Sequence, residues 1–157
     1  MEHVKIKCRD LMVGDWIINR NGFPMQITNV GEDYSYATFE GNEGDPWEFD
    51  DKDDHPQPIP LTPEILEKNG CTWHERIWGY DMRGGKLSKR FASRLFPDSK
   101  TYLEWYESKK TLSIWFDYLP DNEGIYSDIL IPVEYVHQMQ QVLRLAGLDD
   151  IANELKI

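Results

Sequence analysis

Four histidines, two cysteines and a surplus of carboxylates are the side chains through which this chain could do chemistry. Glu134 and His137 have the Glu-x-x-His spacing that places both groups on one helix face in di-iron proteins. Such a centre also needs a second Glu-x-x-His and further glutamates on other helices, which a sequence rich in strand-like runs does not offer. Glu134, His137, Gln138, Gln141 and Arg144 therefore read as one polar, solvent-facing stripe of a helix. The run His137-Gln138-Met139-Gln140-Gln141 lacks the general-base glutamate and second histidine of a zincin helix. Packing or partner contact is the expected role of His137 and Gln140. His74 and Glu75 are adjacent on a strand-like run, so they point to opposite faces and make a poor acid-base pair. Cys71 and His74 could be nucleophile and base, but nothing nearby argues for a depressed thiol pKa. Cys8 and Cys71 lie far apart, with no Cys-x-x-Cys and no histidine at zinc spacing. Each is expected to be a small buried apolar residue in a reducing compartment. Asp50-Asp51-Lys52-Asp53-Asp54 offers hard oxygen ligands of the kind Ca²⁺ and Mg²⁺ take. It lacks the register and distal glutamate of an EF-hand loop and contains Lys52, so a solvated loop is expected. No nucleophile elbow, Walker loop or dinucleotide fingerprint occurs. The expectation is a protein that is not an enzyme and has no metal and no cofactor.

The elements that would position these groups follow from pattern. Val4, Ile6 and Cys8 alternate with Lys5, Lys7 and Arg9, the period of a half-buried strand. Gly14-Asp15 supplies a turn before Trp16-Ile17-Ile18. Asn21-Gly22 joins that run to Phe23 through Val30 and predicts a type I′ hairpin. Further short runs at Tyr34 to Phe39 and Trp47 to Phe49 suggest a small meander or SH3-like barrel over residues 1–60. Alternating prolines from Pro56 to Pro63 mark a boundary. Thr62 as N-cap, Pro63 at the first helical position and Gly70 past the end then predict a two-turn helix.

Residues 61–157 read as an α+β lobe. Thr72 to Met82 is a strand candidate; Thr101 to Glu107 and Thr111 to Tyr118 form a hairpin through Ser108-Lys109-Lys110. Pro120 to Gly124 makes a turn before Ile125 to Ile131. Pro132 is expected to open a helix that runs to Ala146 and stops at Gly147. Its apolar face, with Val136, Met139, Val142, Leu143 and Ala146, should pack on the antiparallel sheet. The fold class is thus α+β, an N-terminal barrel or meander followed by a C-terminal sheet packed by a helix.

Charge is polarised along the chain. The formal net charge is -11 and the pI near 4.7, which argues against unspecific affinity for nucleic acid or anionic membranes. Residues 40–54 hold eight acids against Lys52 alone, whereas residues 83–94 hold Arg83, Lys86, Lys89, Arg90 and Arg94 with no acid. The basic run, with Phe91, Phe96, Tyr102 and Trp105 near it, could form a groove for phosphate with base stacking. The plainer reading is a solvated hairpin or loop around Gly84-Gly85, its lysine stems covering apolar surface. No apolar run reaches the length of a membrane span and the N-terminus lacks a signal-like stretch, so a soluble, cytoplasmic protein is expected.

Three segments carry a resemblance: Asp10 to Trp16, Pro58 to Gly70, and Tyr135 to Gln140 leading to Leu143-Arg144-Leu145-Ala146-Gly147. In that order the chain resembles small uncharacterised proteins of Bacteroides-type gut bacteria and their prophages or mobile elements. The resemblance implies an origin and no activity. The expected function is that of a non-enzymatic accessory protein of a prophage or mobile element, acting by contact with another protein. Nucleic-acid binding through residues 83–94 is the alternative. An acidic DNA mimic is the third reading, weakened because most of the excess charge falls in one segment.

Overall fold

The computed structural model describes residues 4–39, 44–69, 72–75, 83–86, 100–107, 110–117, 125–145 and 147–157. They belong to two compact units, Met1–Pro60 with Tyr135–Val142, and Leu61–Glu134 with Leu143–Ile157. The class is mixed α+β.

In the first unit five short strands form one antiparallel sheet: β1 (Trp16–Ile18), β2 (Pro24–Val30), β3 (Tyr34–Thr38), β4 (Trp47–Asp50) and β5 (Gln57–Pro58). Their order is β4-β3-β2-β1-β5, so the proline-rich stretch returns as an edge strand beside β1. An edge tolerates Pro58 because its missing N–H costs the sheet no interior bond. Alternation sends Ile17, Met25, Ile27, Ala37 and Phe49 inward, where they cluster with Ile6, Cys8 and Leu11. The intervening residues of β3 and β4, Tyr34, Tyr36, Glu48 and Asp50, are left on the opposite face.

Two local expectations for this unit are corrected. Ile6 and Cys8 are buried as the alternation implies, but Val4–Lys7 is not a strand and Cys8–Asp10 is a 3-10 turn. The Cys8 N–H donates to Asp51 Oδ1 at 2.8 Å, which replaces a ladder bond. The β1–β2 connection is not type I′, because Gly22 has φ +81° while Asn21 stays at negative φ. Asn19 explains the difference. Its Oδ1 accepts from the N–H groups of Asn21 and Phe23 at 2.9 and 3.0 Å, and Gly22 N–H donates to Asn19 O at 2.9 Å. A turn followed by one left-handed glycine results. The turn at Met12–Asp15 is as expected, with Gly14 at φ 92° and Asp15 N–H donating to Met12 O at 3.1 Å.

The second unit starts with α1 (Pro63–Lys68), whose cap is the one the sequence predicts: Thr62 Oγ1 accepts from Ile65 N–H at 3.3 Å. Asn69 closes the helix. Its Nδ2 donates to Ile65 O at 2.7 Å and to Lys156 O at 2.7 Å, while its Oδ1 accepts from Lys156 N–H at 2.8 Å. Thr62→Ala should lower the urea unfolding free energy by about 1 kcal/mol through the lost cap, and Thr62→Ser should preserve it.

A second antiparallel sheet follows in simple meander order: β6 (Thr72–Glu75), β7 (Arg83–Lys86), β8 (Lys100–Tyr106), β9 (Thr111–Asp117) and β10 (Ile125–Pro132). Lys110, at φ 50°, leads from the β8–β9 turn into β9. The expected turn over Pro120–Gly124 lies outside the described residues. Pro132 corrects another expectation, because it ends β10, paired with Thr111, and does not open a helix. β10 is an edge strand, where a proline is tolerated. The helix α2 begins later and spans Val136–Leu145. Gln138 Oε1 accepts from Tyr135 N–H at 3.1 Å, one half of a capping box. Gly147, at φ 80°, donates to Arg144 O at 2.9 Å and Leu148 N–H donates to Leu143 O at 2.9 Å, which together make a Schellman stop. The tail forms the short α3 (Asp149–Asn153), with Ile151 and Ala152 buried.

Candidate functional site

Among the described residues, the outer face of β3 and β4 collects side chains suited to binding. Pairing sets Tyr34 opposite Asp50 and Tyr36 opposite Glu48, so two rings and two carboxylates stand on the same side of the sheet. With Asp33, Asp51 and Lys52 they line an open groove of about 490 Å³. The Tyr34 and Tyr36 rings meet edge to face, centroids 5.7 Å apart at 69°. Tyr34 is 44% exposed. Its ring lies against Gly31, where a Cβ would overlap it, and Gly31 N–H donates to Tyr34 O at 2.8 Å. The absent side chain at Gly31 is thus what gives the ring its seat.

The acidic run is a loop with Lys52 and Asp53 exposed, as expected from sequence, and it is folded around its own carboxylates. Asp50 Oδ1 accepts from Lys52 N–H at 2.7 Å and Asp53 N–H at 2.6 Å, and these two bonds hold its carboxyl below the usual range. Asp51 Oδ1 is held by Cys8 N–H, and Asp51 N–H donates to Asp33 O at 3.2 Å. Asp54 Oδ2 accepts from Trp47 Nε1 at 3.0 Å. Charges fixed by backbone donors need little reorganisation to meet a cation. The groove residues include no histidine, cysteine or serine, so the arrangement suits binding by charge and ring faces. Among the described residues no group of three or more His, Cys, Asp or Glu is placed to hold a metal ion.

Cys8 lies behind this turn. It is fully buried, and burial with the nearby charges of Asp51 and Asp50 pushes its thiol up to about 11, against the opposing effect of Ser35 Oγ, which donates to Sγ at 3.5 Å. The thiolate is the reactive form, so Cys8 should be inert. In a Cys71→Ser background, a disulfide-exchange reagent at pH 8 should label no thiol until guanidinium chloride unfolds the chain. Rapid labelling of the native protein would contradict the buried placement.

The polar stripe predicted on the C-terminal helix is placed differently from expectation. Glu134 is exposed and precedes α2, Gln138 serves the N-cap, and His137 is buried at 7% exposure. Gln141 Nε2 donates to Asp15 Oδ2 at 2.8 Å and to Asp10 O at 3.0 Å. Gln140, fully buried, accepts from Trp16 N–H through Oε1 at 2.8 Å and donates from Nε2 to Gly14 O at 2.9 Å. The first half of α2 is therefore fastened to the Asp10–Trp16 segment within the first unit. Arg144, near the end of the helix, reaches Asn153 Oδ1 at 3.2 Å from its Nη2.

His137 stacks on Tyr135, centroids 5.9 Å apart, and its buried Nδ1 has no hydrogen-bond partner. Desolvation holds its pKa below 6.5, with the nearby Asp15 charge opposing the shift. The unfolded chain thus binds the proton more readily than the folded one. Stability contributed by neutral His137 is complete above 6.5 and is lost as pH falls from there toward the folded pKa. The difference in unfolding free energy between wild type and His137→Phe should shift in that sense over that interval, and a flat difference would contradict it.

Of the basic candidates, the backbones of Arg83 and Lys86 lie on β7, while Lys89, Arg90 and Arg94 fall outside the described residues. Gly84 and Gly85 do not form the expected loop. They sit inside β7, paired with His74 and Trp73 on one side and with Tyr106 and Trp105 on the other. Asp33, Tyr34, Tyr36 and Glu48 are the residues that sequence reasoning missed. Their signal was the alternation of Tyr34 and Tyr36 across from an acidic strand, which becomes a site only once the register is known. No helix among the described residues is long and apolar enough to cross a membrane. No family model, curated protein or solved structure matches the chain.

Proposed function

We propose that the chain is a non-enzymatic protein-interaction module whose first unit supplies the contact face. The observation that carries this reading is the outer side of β3 and β4, where Tyr34 remains 44% exposed over a sheet whose other side is closed core. Tyrosine is enriched at recognition surfaces, and here two tyrosines stand on the outer side of the sheet beside carboxylates that give the face its charge. We read the five-stranded arrangement, with β5 returning beside β1, as SH3-like. The stacked and exposed Phe23 and Phe39, centroids 6.5 Å apart, add apolar surface to the same unit. An accessory role in a prophage or mobile element, in the cytoplasm, is part of this proposal and follows from the sequence resemblance. A benzophenone photo-crosslinker placed at Tyr36 should trap a defined protein in cells, whereas the same group at the exposed Glu64 of α1 should not. Indistinguishable adducts from the two positions would remove the first unit as the contact face.

A further inference from the structure

Resting on the interaction reading, we infer that the β3–β4 groove receives an arginine or lysine side chain from a basic segment of a protein partner. Charge complementarity makes this choice. Four carboxylates, Asp33, Glu48, Asp50 and Asp51, line the groove against the single ammonium of Lys52. That balance repels a phosphate backbone and an acidic peptide, and it attracts a guanidinium or ammonium. The tyrosine rings offer π faces to the same cation. They also cover the aliphatic stem that a bare ion lacks. The size agrees, since about 490 Å³ falls in the range of small-ligand clefts and holds one long side chain with its flanking backbone. The wall is preformed. Tyr34 is seated on Gly31, Asp50 is fixed by two backbone donors and Asp51 by the Cys8 N–H, so little ordering opposes binding.

The test must separate this groove from the general attraction of a chain with net charge -11 for any cation. The probe is a short acetylated peptide alternating glycine and arginine, compared with the same peptide carrying citrulline, the neutral isostere, by fluorescence anisotropy on the full chain. The arginine peptide should bind about tenfold more tightly than the citrulline peptide. Tyr34→Ala, which leaves the charge unchanged, should weaken it by about three- to fivefold, while Tyr34→Phe should retain it. Glu48→Gln should weaken binding more than Glu64→Gln, although each removes one charge. Equal binding of the two peptides, wild-type affinity in Tyr34→Ala, or equal losses in Glu48→Gln and Glu64→Gln would each overturn the inference. If the Tyr36 crosslinker traps a partner through a neutral or acidic segment while the arginine peptide does not bind, the cationic occupant falls and the interaction reading stands.

Discussion

Trp105→Ala is expected to lower the unfolding free energy by about 3–5 kcal/mol, the cost of emptying a large buried aromatic site. Trp105 is the largest fully buried side chain among the described residues and sits on β8 opposite Leu112. It also does polar duty: its Nε1 donates to Val133 O at 2.7 Å, and Lys110 Nζ lies 5.2 Å from the ring centroid. Val133 N–H in turn donates to Lys110 O at 2.8 Å. One indole therefore ties the end of the β8–β9 turn to the segment that follows β10. Trp105→Phe retains one buried ring but removes the donor, leaving the buried Val133 carbonyl without it, and part of the ring volume, so a smaller loss of about 2–3 kcal/mol is expected. Urea titration followed by far-ultraviolet circular dichroism checks both values. Equal losses in the two variants would mean that the hydrogen bond, and not the packing, dominates.

Gln140→Leu should cost about 2–4 kcal/mol, although the substitution is nearly isosteric and apolar. A buried glutamine would ordinarily be a poor choice on this helix face, yet both ends of the Gln140 amide serve the backbone, one the Trp16 N–H and the other the Gly14 carbonyl. Leucine removes both bonds, from the Trp16 N–H and to the Gly14 carbonyl, and leaves the Gln140 site with no polar group to replace them, at about 1–1.5 kcal/mol for each bond. Gln26 Nε2, at 3.3 Å, keeps a weak donor on Gly14 O. An unchanged urea midpoint would show that the helix is not fastened to the first unit through Gln140.

Local chemistry was the legible part of the sequence. Thr62-Pro63 as a helix start, Gly147 as a helix stop and Gly14 in a turn act over a few residues, and each is found where pattern placed it. The β8–β9 hairpin and the period-2 core of β1 to β4 were legible for the same reason. Errors arise where a neighbour competes with the nearest signal. Asn21-Gly22 favours a type I′ turn in isolation, but the Asn19 side chain offers two bonds to another conformation. Pro132 fits a helix start as well as it fits the end of an edge strand, and only the sheet order decides. The acidic run is the solvated loop that its charge implied, but its backbone partners Cys8 and Asp33 were not visible in the sequence.

The placement of Tyr135–Val142 with the first unit was not legible at all. It rests on pairs more than a hundred residues apart, such as Gln140 with Trp16 and Gln141 with Asp15. The candidate groove depends on register in the same way. Tyr34, Tyr36, Glu48 and Asp50 are ordinary strand and loop residues until pairing sets them side by side, and a slip of one residue would send the rings into the core.

The most direct test of the account is an amide chemical-shift map of the isotopically labelled full chain, titrated with the glycine-arginine peptide. Shifts should concentrate in Asp33–Tyr36 and Glu48–Lys52, the segments that line the groove. Shifts centred on Phe23 and Phe39, or spread evenly over the acidic surface, would contradict it.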